Sequence, residues 1–290
     1  MLSGASLSYT TKDNFDIKKF YKRRLLRLLI PFYVVEILYF AKKAIQAGSI
    51  FGVFSPAIPK WRIIFTILGM DEWVSMHGIP TFSLSIGEWF LGALIILYLL
   101  FPLLRYLIRK NRNLFFVVAT SIYIIIIYNY SSNIPMHMNL IIKGYEFILG
   151  MYFGAYYTKF SSKWMLITIP TVVFFFTSST ALNLNTALKI TLLAVAFFVS
   201  FSYFEDLLCK HDIKIVGVLS KYSYELFLVH HIVIYEITPL VQPYLTGNWG
   251  VLVLFFVQIA IMGLLTVIVH YLSEKCIGFF TSTTQEPFRK

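Results

Sequence analysis

The sequence predicts an all-α fold: a polytopic transmembrane helix bundle with about eight spanning helices and one re-entrant or interfacial piece. Of its 290 residues, 58% are hydrophobic and only 13% are charged, against roughly 25% charged in soluble domains. Apolar stretches long enough to cross a hydrocarbon core as a helix, about 17–25 residues, recur along the chain. They lack the alternation of barrel strands, so helices are expected, since a helix satisfies its own backbone polar groups in lipid.

The individual spans follow from these stretches. We predict them at residues 28–46, 88–104, 114–130, 139–157, 164–181, 186–204, 222–240 and 250–272. A further apolar piece at residues 63–70 is too short to cross the membrane. We predict that it is re-entrant or interfacial, within an outer segment of residues 47–86, because a ninth crossing would move every later basic loop to the other side.

Lysine and arginine positions orient the predicted spans. The most basic segment, KKFYKRRLLR at residues 18–27, is placed in the cytoplasm by the positive-inside rule. With eight crossings, the later basic clusters fall on the same side. These clusters contain Arg105, Arg109, Lys110 and Arg112, then Lys159 and Lys163, then Lys210, Lys214 and Lys221, and finally Arg289 and Lys290. We therefore expect a multi-pass cell-membrane protein with both termini cytoplasmic.

Charge and cysteine usage narrow the class further. A net charge of +11 is compatible with nucleic-acid binding, but the basic residues lie in short loops beside apolar segments, where topology and anionic lipid explain them. Cys209 and Cys276 fit no metal-ligand spacing and are predicted to be reduced thiols. With no soluble domain, linker or repeat in view, we predict one membrane-embedded domain over residues 1–290, no nucleic-acid partner and no metal.

Titratable residues inside the predicted spans are the candidates for function. A charge at the bilayer centre costs at least about 2.5–3.5 kcal/mol on insertion scales, so such residues usually face a bundle interior or water. The candidates are Glu36, Glu88, Lys143, Glu146, Glu225, His230 and His231. Lys143 and Glu146 are three residues apart on one helix face and are predicted to form a structural pair. For His231 we expect a packing role.

His230 is the histidine for which we expect a function. Glu225 lies five residues before it, about 140° round the helix, and is therefore not expected to orient it. A carboxylate from another helix is expected instead, and three residues are open for this role: Glu36, Glu88 and Glu146.

Three motifs together resemble the acyltransferase-3 family of integral membrane O-acyltransferases, which decorate bacterial polysaccharides. They are LSGASLSY followed by FYKRRLLRLLIPFY, then GEWFLGALIILYLLFPLL, and then SYELFLVH. The family carries a histidine at the position of His230. Its members typically have ten spans with both ends cytoplasmic, and this chain starts at what resembles the end of their second helix. We therefore expect a fragment lacking the N-terminal one to two helices, with the arginine and histidine that the family carries there, rather than a divergent member.

The resemblance implies transfer of an acyl group, acetyl in particular, from acyl-CoA to a hydroxyl of a cell-surface or lipid-linked polysaccharide. His230 would act with an intramembrane carboxylate, Glu36 or Glu88. The guanidinium groups of Arg23, Arg24 and Arg27 would hold the CoA phosphates, since arginine forks suit phosphate. Two alternatives stay open. One is a glycan or small-solute transporter or exporter of the same fold, because intramembrane Glu and His also serve carriers, and the other is an inactive fragment.

Overall fold

The computed structural model describes residues 1–11, 15–84, 86, 88–157, 162–177, 185–208, 214–245 and 247–282. Within these residues the chain forms α-helices, short 3-10 turns and no strand. The α-helices are α1 (Leu2–Thr10), α2 (Ile17–Ala47), α3 (Ile63–Ile67), α4 (Asp71–Met76), α5 (Glu88–Lys110), α6 (Arg112–Tyr128), α7 (Leu140–Tyr156), α8 (Met165–Thr177), α9 (Thr186–Leu208), α10 (Lys214–Val241) and α11 (Gly247–Ser282). Five residues discussed above lie outside the described part: Lys159, Cys209, Lys210, Arg289 and Lys290.

The predicted fold class, an all-α transmembrane bundle, is confirmed. In the described part of the chain, four helices are long and apolar enough to cross a membrane, and two shorter helices are also apolar. The four are the helical stretches Trp89–Lys110, Thr186–Phe204, Val216–Tyr244 and Trp249–Phe280, and the two are Arg112–Tyr128 and Met165–Phe175. The number of crossings stays a prediction.

The two remaining predicted spans, 28–46 and 139–157, lie in α2, which carries charged residues at both ends, and in α7, which carries Lys143 and Glu146. The apolar piece at 63–70 contains only the five-residue helix α3. Gly69 follows that helix with φ of 66°, a left-handed conformation that glycine adopts without steric cost.

The chain forms two compact units. Unit 1 contains residues 1–18 and 96–213, and unit 2 contains residues 19–95 and 214–290. Each unit therefore combines an N-terminal piece of the sequence with a much later one, and each is described separately below.

In unit 1, small residues let α1 approach α7 closely. A Cβ atom added at Gly150 would lie 2.0 Å from the carbonyl oxygen of Met1, and one added at Gly154 would lie 2.1 Å from that of Ala5. These glycines are four residues apart, the small-xxx-small spacing that brings membrane helices into backbone contact. Since Met1 pairs with Gly150 and Ala5 with Gly154, α1 and α7 run parallel.

A polar network joins α6, α7 and α9 within unit 1. Lys143 Nζ lies 2.9 Å from Glu146 Oε2, so the predicted pair is confirmed. The hydroxyl of Thr191 donates to Glu146 Oε1 over 3.4 Å, and the hydroxyl of Tyr123 donates to Thr191 Oγ1 over 2.9 Å. Glu146 is buried, and the lysine and threonine offset the cost of burying its charge.

In unit 2, α10 and α11 form an antiparallel pair. His270 bonds to Glu225 over 2.9 Å, and Gln258 bonds to Thr238 over 2.8 Å. The later residue of α10, Thr238, thus pairs with the earlier residue of α11, Gln258, so the two helices run in opposite directions. Apolar residues of both helices, such as Leu228 and Val269, are buried.

The close contact of α1 with α7 gives a test of unit 1. We expect Gly154→Ala to lower the free energy of unfolding by about 1–3 kcal/mol, because the added methyl group meets backbone that has no room to move. Gly144→Ala on the same helix is the matched control, since its Cβ would meet only Leu97 Cδ2, at 3.8 Å. Thermal unfolding in detergent measures both, and equal melting temperatures for the two variants would contradict the packing argument.

Candidate functional site

The three predicted phosphate-binding arginines lie in the first half of α2, in unit 2. Arg23 and Arg27 are exposed and Arg24 is half-buried. Pro31 lies inside the same helix, four residues after Arg27. Because proline has no backbone N–H, the carbonyl of Arg27 lacks its helical hydrogen bond. The helical turns that carry the three arginines therefore end at a missing backbone hydrogen bond.

Two polar contacts fix α10 alongside α2. The hydroxyl of Tyr224 donates to the carbonyl oxygen of Leu28 over 2.7 Å, and the hydroxyl of Tyr39 donates to Glu236 Oε1 over 2.7 Å. The partners are 196 and 197 positions apart. Since the offset is nearly constant, the two helices run parallel in one register. Their shared direction agrees with the predicted topology, in which the first and seventh spans cross the membrane the same way.

The register of α2 and α10 gives the heights of Glu36 and His230 relative to each other. At the observed offset of 196 or 197 positions, Glu36 on α2 is level with position 232 or 233 on α10. His230 lies two or three residues before that level, or about 3–5 Å along the axis at ~1.5 Å per residue. The two catalytic candidates are therefore at similar heights in unit 2.

The tautomer of His230 follows from its hydrogen bond. Its Nδ1 atom lies 2.5 Å from the carbonyl oxygen of Phe227, one turn earlier on α10. A carbonyl can only accept, so Nδ1 carries the proton and Nε2 holds the lone pair. A backbone carbonyl thus has the orienting role for which we expected a carboxylate. The helix itself supplies it, because the i−3 carbonyl is within reach of a histidine ring.

Glu36 lines a cavity of about 250 Å³ in unit 2, together with residues of the 47–86 segment. Among the residues that the structure describes, its carboxylate makes no hydrogen bond or ion pair. Of the other two candidate carboxylates, Glu146 is bound by Lys143 and Thr191 in unit 1. The side chain of Glu88 lies outside the described residues.

Parts of the three motifs of the family resemblance contact one another in unit 2. Tyr224, in the SYELFLVH motif, bonds to Leu28 of the FYKRRLLRLLIPFY motif. Phe227, in the same motif, packs edge-on against Phe90 of the second motif, with ring centroids 5.6 Å apart. Residues far apart in the sequence therefore surround one stretch of α10.

The structure adds a buried pair that the sequence did not predict. His270 on α11 lies with its Nδ1 atom 2.9 Å from Glu225 Oε1, and both side chains are largely buried. The ring of Tyr222 stands edge-on to His270 with centroids 4.7 Å apart. Glu225 thus has a partner on the next helix, which is consistent with its predicted inability to orient His230.

A second unpredicted cluster surrounds Glu236. Lys42 Nζ lies 2.5 Å and Lys43 Nζ 2.8 Å from its carboxylate oxygens, and Tyr39 donates to the same group. These contacts form one ionic connection between α2 and α10.

Two further arginines line a cavity in unit 1. Arg105 and Arg109 lie beside Ser8 and Thr11 around a volume of about 110 Å³. The guanidinium of Arg105 donates to the carbonyl of Thr11 and covers the ring of Phe15, 4.7 Å from its centroid. From the sequence, we used these arginines only to predict the orientation of the spans in the membrane. Their side chains also connect α5 to the stretch after α1.

A metal centre is not indicated by the described residues. They contain no group of three or more His, Cys, Asp or Glu side chains arranged to hold an ion. Cys276 is an exposed free thiol on α11.

The pair of Glu225 and His270 gives a test. His270→Phe would leave a buried carboxylate without its donor, so we expect a loss of roughly 3–5 kcal/mol in the free energy of unfolding. His270→Asn keeps an N–H donor near the position of Nδ1 and is expected to lose clearly less. Thermal unfolding in detergent measures both, and variants of equal stability would mean that the hydrogen bond does not stabilise α10 against α11.

Comparison with known proteins agrees with this arrangement of motifs. The acyltransferase-3 family model, described as an acyltransferase domain, matches residues 1–273 of the 290. Among curated proteins and solved structures, no match was found. The family match covers nearly the whole of the chain, including the arginines of α2, Glu36 and His230. This chain belongs to the acyltransferase-3 family of membrane acyltransferases.

Proposed function

We propose that this protein is a membrane O-acyltransferase that moves an acyl group, acetyl in particular, from acyl-CoA to a hydroxyl of a cell-surface or lipid-linked polysaccharide. Family membership supports acyl transfer. The observation that carries the proposal is the hydrogen bond of His230 to the Phe227 carbonyl, which leaves Nε2 able to accept a proton at the height of Glu36. We propose a multi-pass chain with both termini cytoplasmic.

In this mechanism His230 is the general base. Its Nε2 atom takes the proton of the acceptor hydroxyl as that oxygen attacks the thioester carbonyl of acyl-CoA. The tetrahedral intermediate collapses by breaking the carbon–sulfur bond, and the imidazolium returns its proton to the CoA thiolate. The products are the O-acyl ester and free CoA. A positioned base contributes about 10²–10⁴-fold to such a step.

The arginines of α2 would bind the donor. Acyl-CoA carries several phosphate charges and is made in the cytoplasm, the side to which the positive-inside rule assigns residues 18–27. Arg24 and Arg27 are three residues apart on one helix face, so together they could bracket a phosphate group. Arg23 precedes Arg27 by one full turn and extends the same basic surface. Glu36, nine residues beyond Arg27, would act with His230 on the acceptor.

The role of His230 is tested by His230→Asn in the full-length protein. The asparagine amide can still donate to the Phe227 carbonyl, while Nε2 is lost. We expect kcat for acyl transfer to fall about 10²–10⁴-fold with little change in melting temperature. His231→Asn is the matched control on the adjacent position and should keep its activity. A fully active His230→Asn enzyme would exclude the proposed base.

The role of the arginines is tested through the donor. Arg24→Ala and Arg27→Ala should each raise the KM for acyl-CoA by about tenfold or more, since a hydrogen bond to a charged group is lost. Arg27→Lys keeps the positive charge but loses the planar guanidinium group, so it should raise the KM for acyl-CoA less than Arg27→Ala does. Lys18→Ala, in the same basic segment, controls for a general loss of charge. Unchanged acylation at limiting acyl-CoA in both alanine variants would contradict the assignment.

The reaction class is tested on cells. Deleting the gene should remove ester-linked acyl groups from the surface glycans, measured by mass spectrometry before and after mild base. Complementation with His230→Asn should not restore them. A transporter of the same fold would instead change the amount of exported glycan and leave the esters on the remaining glycan unchanged.

A further inference from the structure

The cavity beside Glu36 has an aromatic wall. Phe40 and Phe54 have ring centroids 5.3 Å apart, and Phe54 meets Phe82 at 5.2 Å with their planes 88° to each other. All three rings line the cavity, as does Glu36. Ring faces of this kind cover the apolar C–H surface of a flat ligand. The wall comes from the second half of α2 and from the 47–86 segment, which is predicted to lie on the outer side.

Polar atoms without partners collect in the same segment. Among the described residues, six buried side-chain nitrogen or oxygen atoms have no hydrogen-bond partner, and four of them belong to residues 62–73. The four are Arg62 Nε, Thr66 Oγ1, Asp71 Oδ1 and Trp73 Nε1. Thr66 lines the cavity itself. Buried polar groups in proteins are nearly always bonded, so such a concentration points to a polar ligand or water.

Asp71 is the second carboxylate of this region. It is 8% exposed, and its charge interacts with that of Glu36. Thr66 lies next to it, yet neither Thr66 Oγ1 nor Asp71 Oδ1 completes a hydrogen bond of normal geometry. Burial raises the pKa of the Asp71 carboxyl above its ordinary value. The hydroxyl of Thr81 donates to the Asp71 backbone carbonyl over 3.2 Å and holds the residue in place.

The hydrogen-bond donors and acceptors of this region indicate which class of ligand would bind there. Carboxylates accept hydrogen bonds, the Trp73 indole donates, and the Thr66 hydroxyl does both. Sugar hydroxyls also do both, so a sugar in the cavity could bond to Glu36 and Thr66, which line it. Among the described residues, no lysine or arginine lines the cavity, so it offers no cation to the phosphates of acyl-CoA. Its volume of about 250 Å³ is below the ~300–1,000 Å³ of pockets for drug-sized ligands, which fits a single ring.

We propose that the cavity lined by Glu36, Phe40, Phe54, Thr66 and Phe82 is the acceptor subsite and takes one neutral sugar ring of the polysaccharide. The ring stacks on the phenylalanines and presents one hydroxyl to Glu36, while another hydroxyl bonds to Thr66. This inference rests on the proposed acyl transfer and names the substrate class of its acceptor side.

The test is binding by the purified full-length protein in lipid nanodiscs. The probe is a preparation of neutral oligosaccharides released from the organism's own surface glycans and stripped of esters with mild base. The wild type should bind, as measured by calorimetry. Glu36→Leu and Phe54→Ala should each weaken binding about tenfold or more, since the first removes the hydrogen-bonding group and the second removes a ring face.

Two matched variants serve as controls. Glu72→Gln changes the carboxylate next to Asp71, which accepts from the Ser83 hydroxyl over 2.9 Å, and the amide oxygen can still accept. Phe51→Ala removes a ring of the same segment that is 83% exposed. Both should bind as the wild type does. If Phe54→Ala does not fold, Phe54→Leu, which keeps bulk and loses the ring face, replaces it.

Acyl-CoA binding to the same variants separates this proposal from the proposed function. Normal acyl-CoA binding by Glu36→Leu, with weakened oligosaccharide binding, supports both proposals. Suppose that acyl-CoA binds through Arg24 and Arg27, but that the wild type binds no oligosaccharide or binds it no better than Glu36→Leu and Phe54→Ala do. The subsite is then overturned and acyl transfer stands. If oligosaccharide binds as expected but acyl-CoA does not bind, the cavity is a glycan site and the transferase proposal fails.

Discussion

Inside a membrane, a polar group that leaves water must find its partner within the protein, and in unit 2 this constraint sets the register of the helices. Tyr224 bonds to the Leu28 carbonyl, and eleven residues further along α2 the hydroxyl of Tyr39 bonds to Glu236. Glu225 and His270 then connect α10 to α11. The heights of Glu36 and His230 relative to each other depend on these few contacts.

This register orders the proposed chemistry along α2. The arginines come first and Glu36 comes nine residues after Arg27, about 13 Å further along the helix at ~1.5 Å per residue. The phenylalanine wall begins at Phe40, one turn beyond Glu36. An anionic donor and a neutral acceptor would therefore approach from opposite ends of one helix, with His230 level with the stretch between them. Cationic groups for the donor phosphates thus lie at the arginine end of α2, while no lysine or arginine lines the cavity among the described residues.

The sequence predicted what depends on local spacing. Helix positions follow from apolar stretches, and the pair of Lys143 and Glu146 follows from a separation of three residues. Contacts between distant helices were not predictable in this way. Glu225 and His270 are 45 positions apart and Lys43 and Glu236 are 193 apart, and no periodicity links them. The cavity was not predictable either, since the chain contains 28 phenylalanines and the sequence gives no reason to select three of them. The group that orients His230 is a backbone carbonyl, which no side-chain pattern in the sequence reveals.

The contact between Tyr224 and Leu28 gives a physical reason why two of the family's motifs occur together. Pro31 has no backbone N–H to bond to the Arg27 carbonyl, which interrupts the hydrogen-bond ladder of α2 at that turn. The next carbonyl, that of Leu28, accepts a hydrogen bond from the Tyr224 hydroxyl. A tyrosine of the SYELFLVH motif thus bonds beside the break made by the proline of the FYKRRLLRLLIPFY motif. Since the same motif places His230 on α10, the proline that ends the arginine turns and the histidine proposed as base belong to one connected structure.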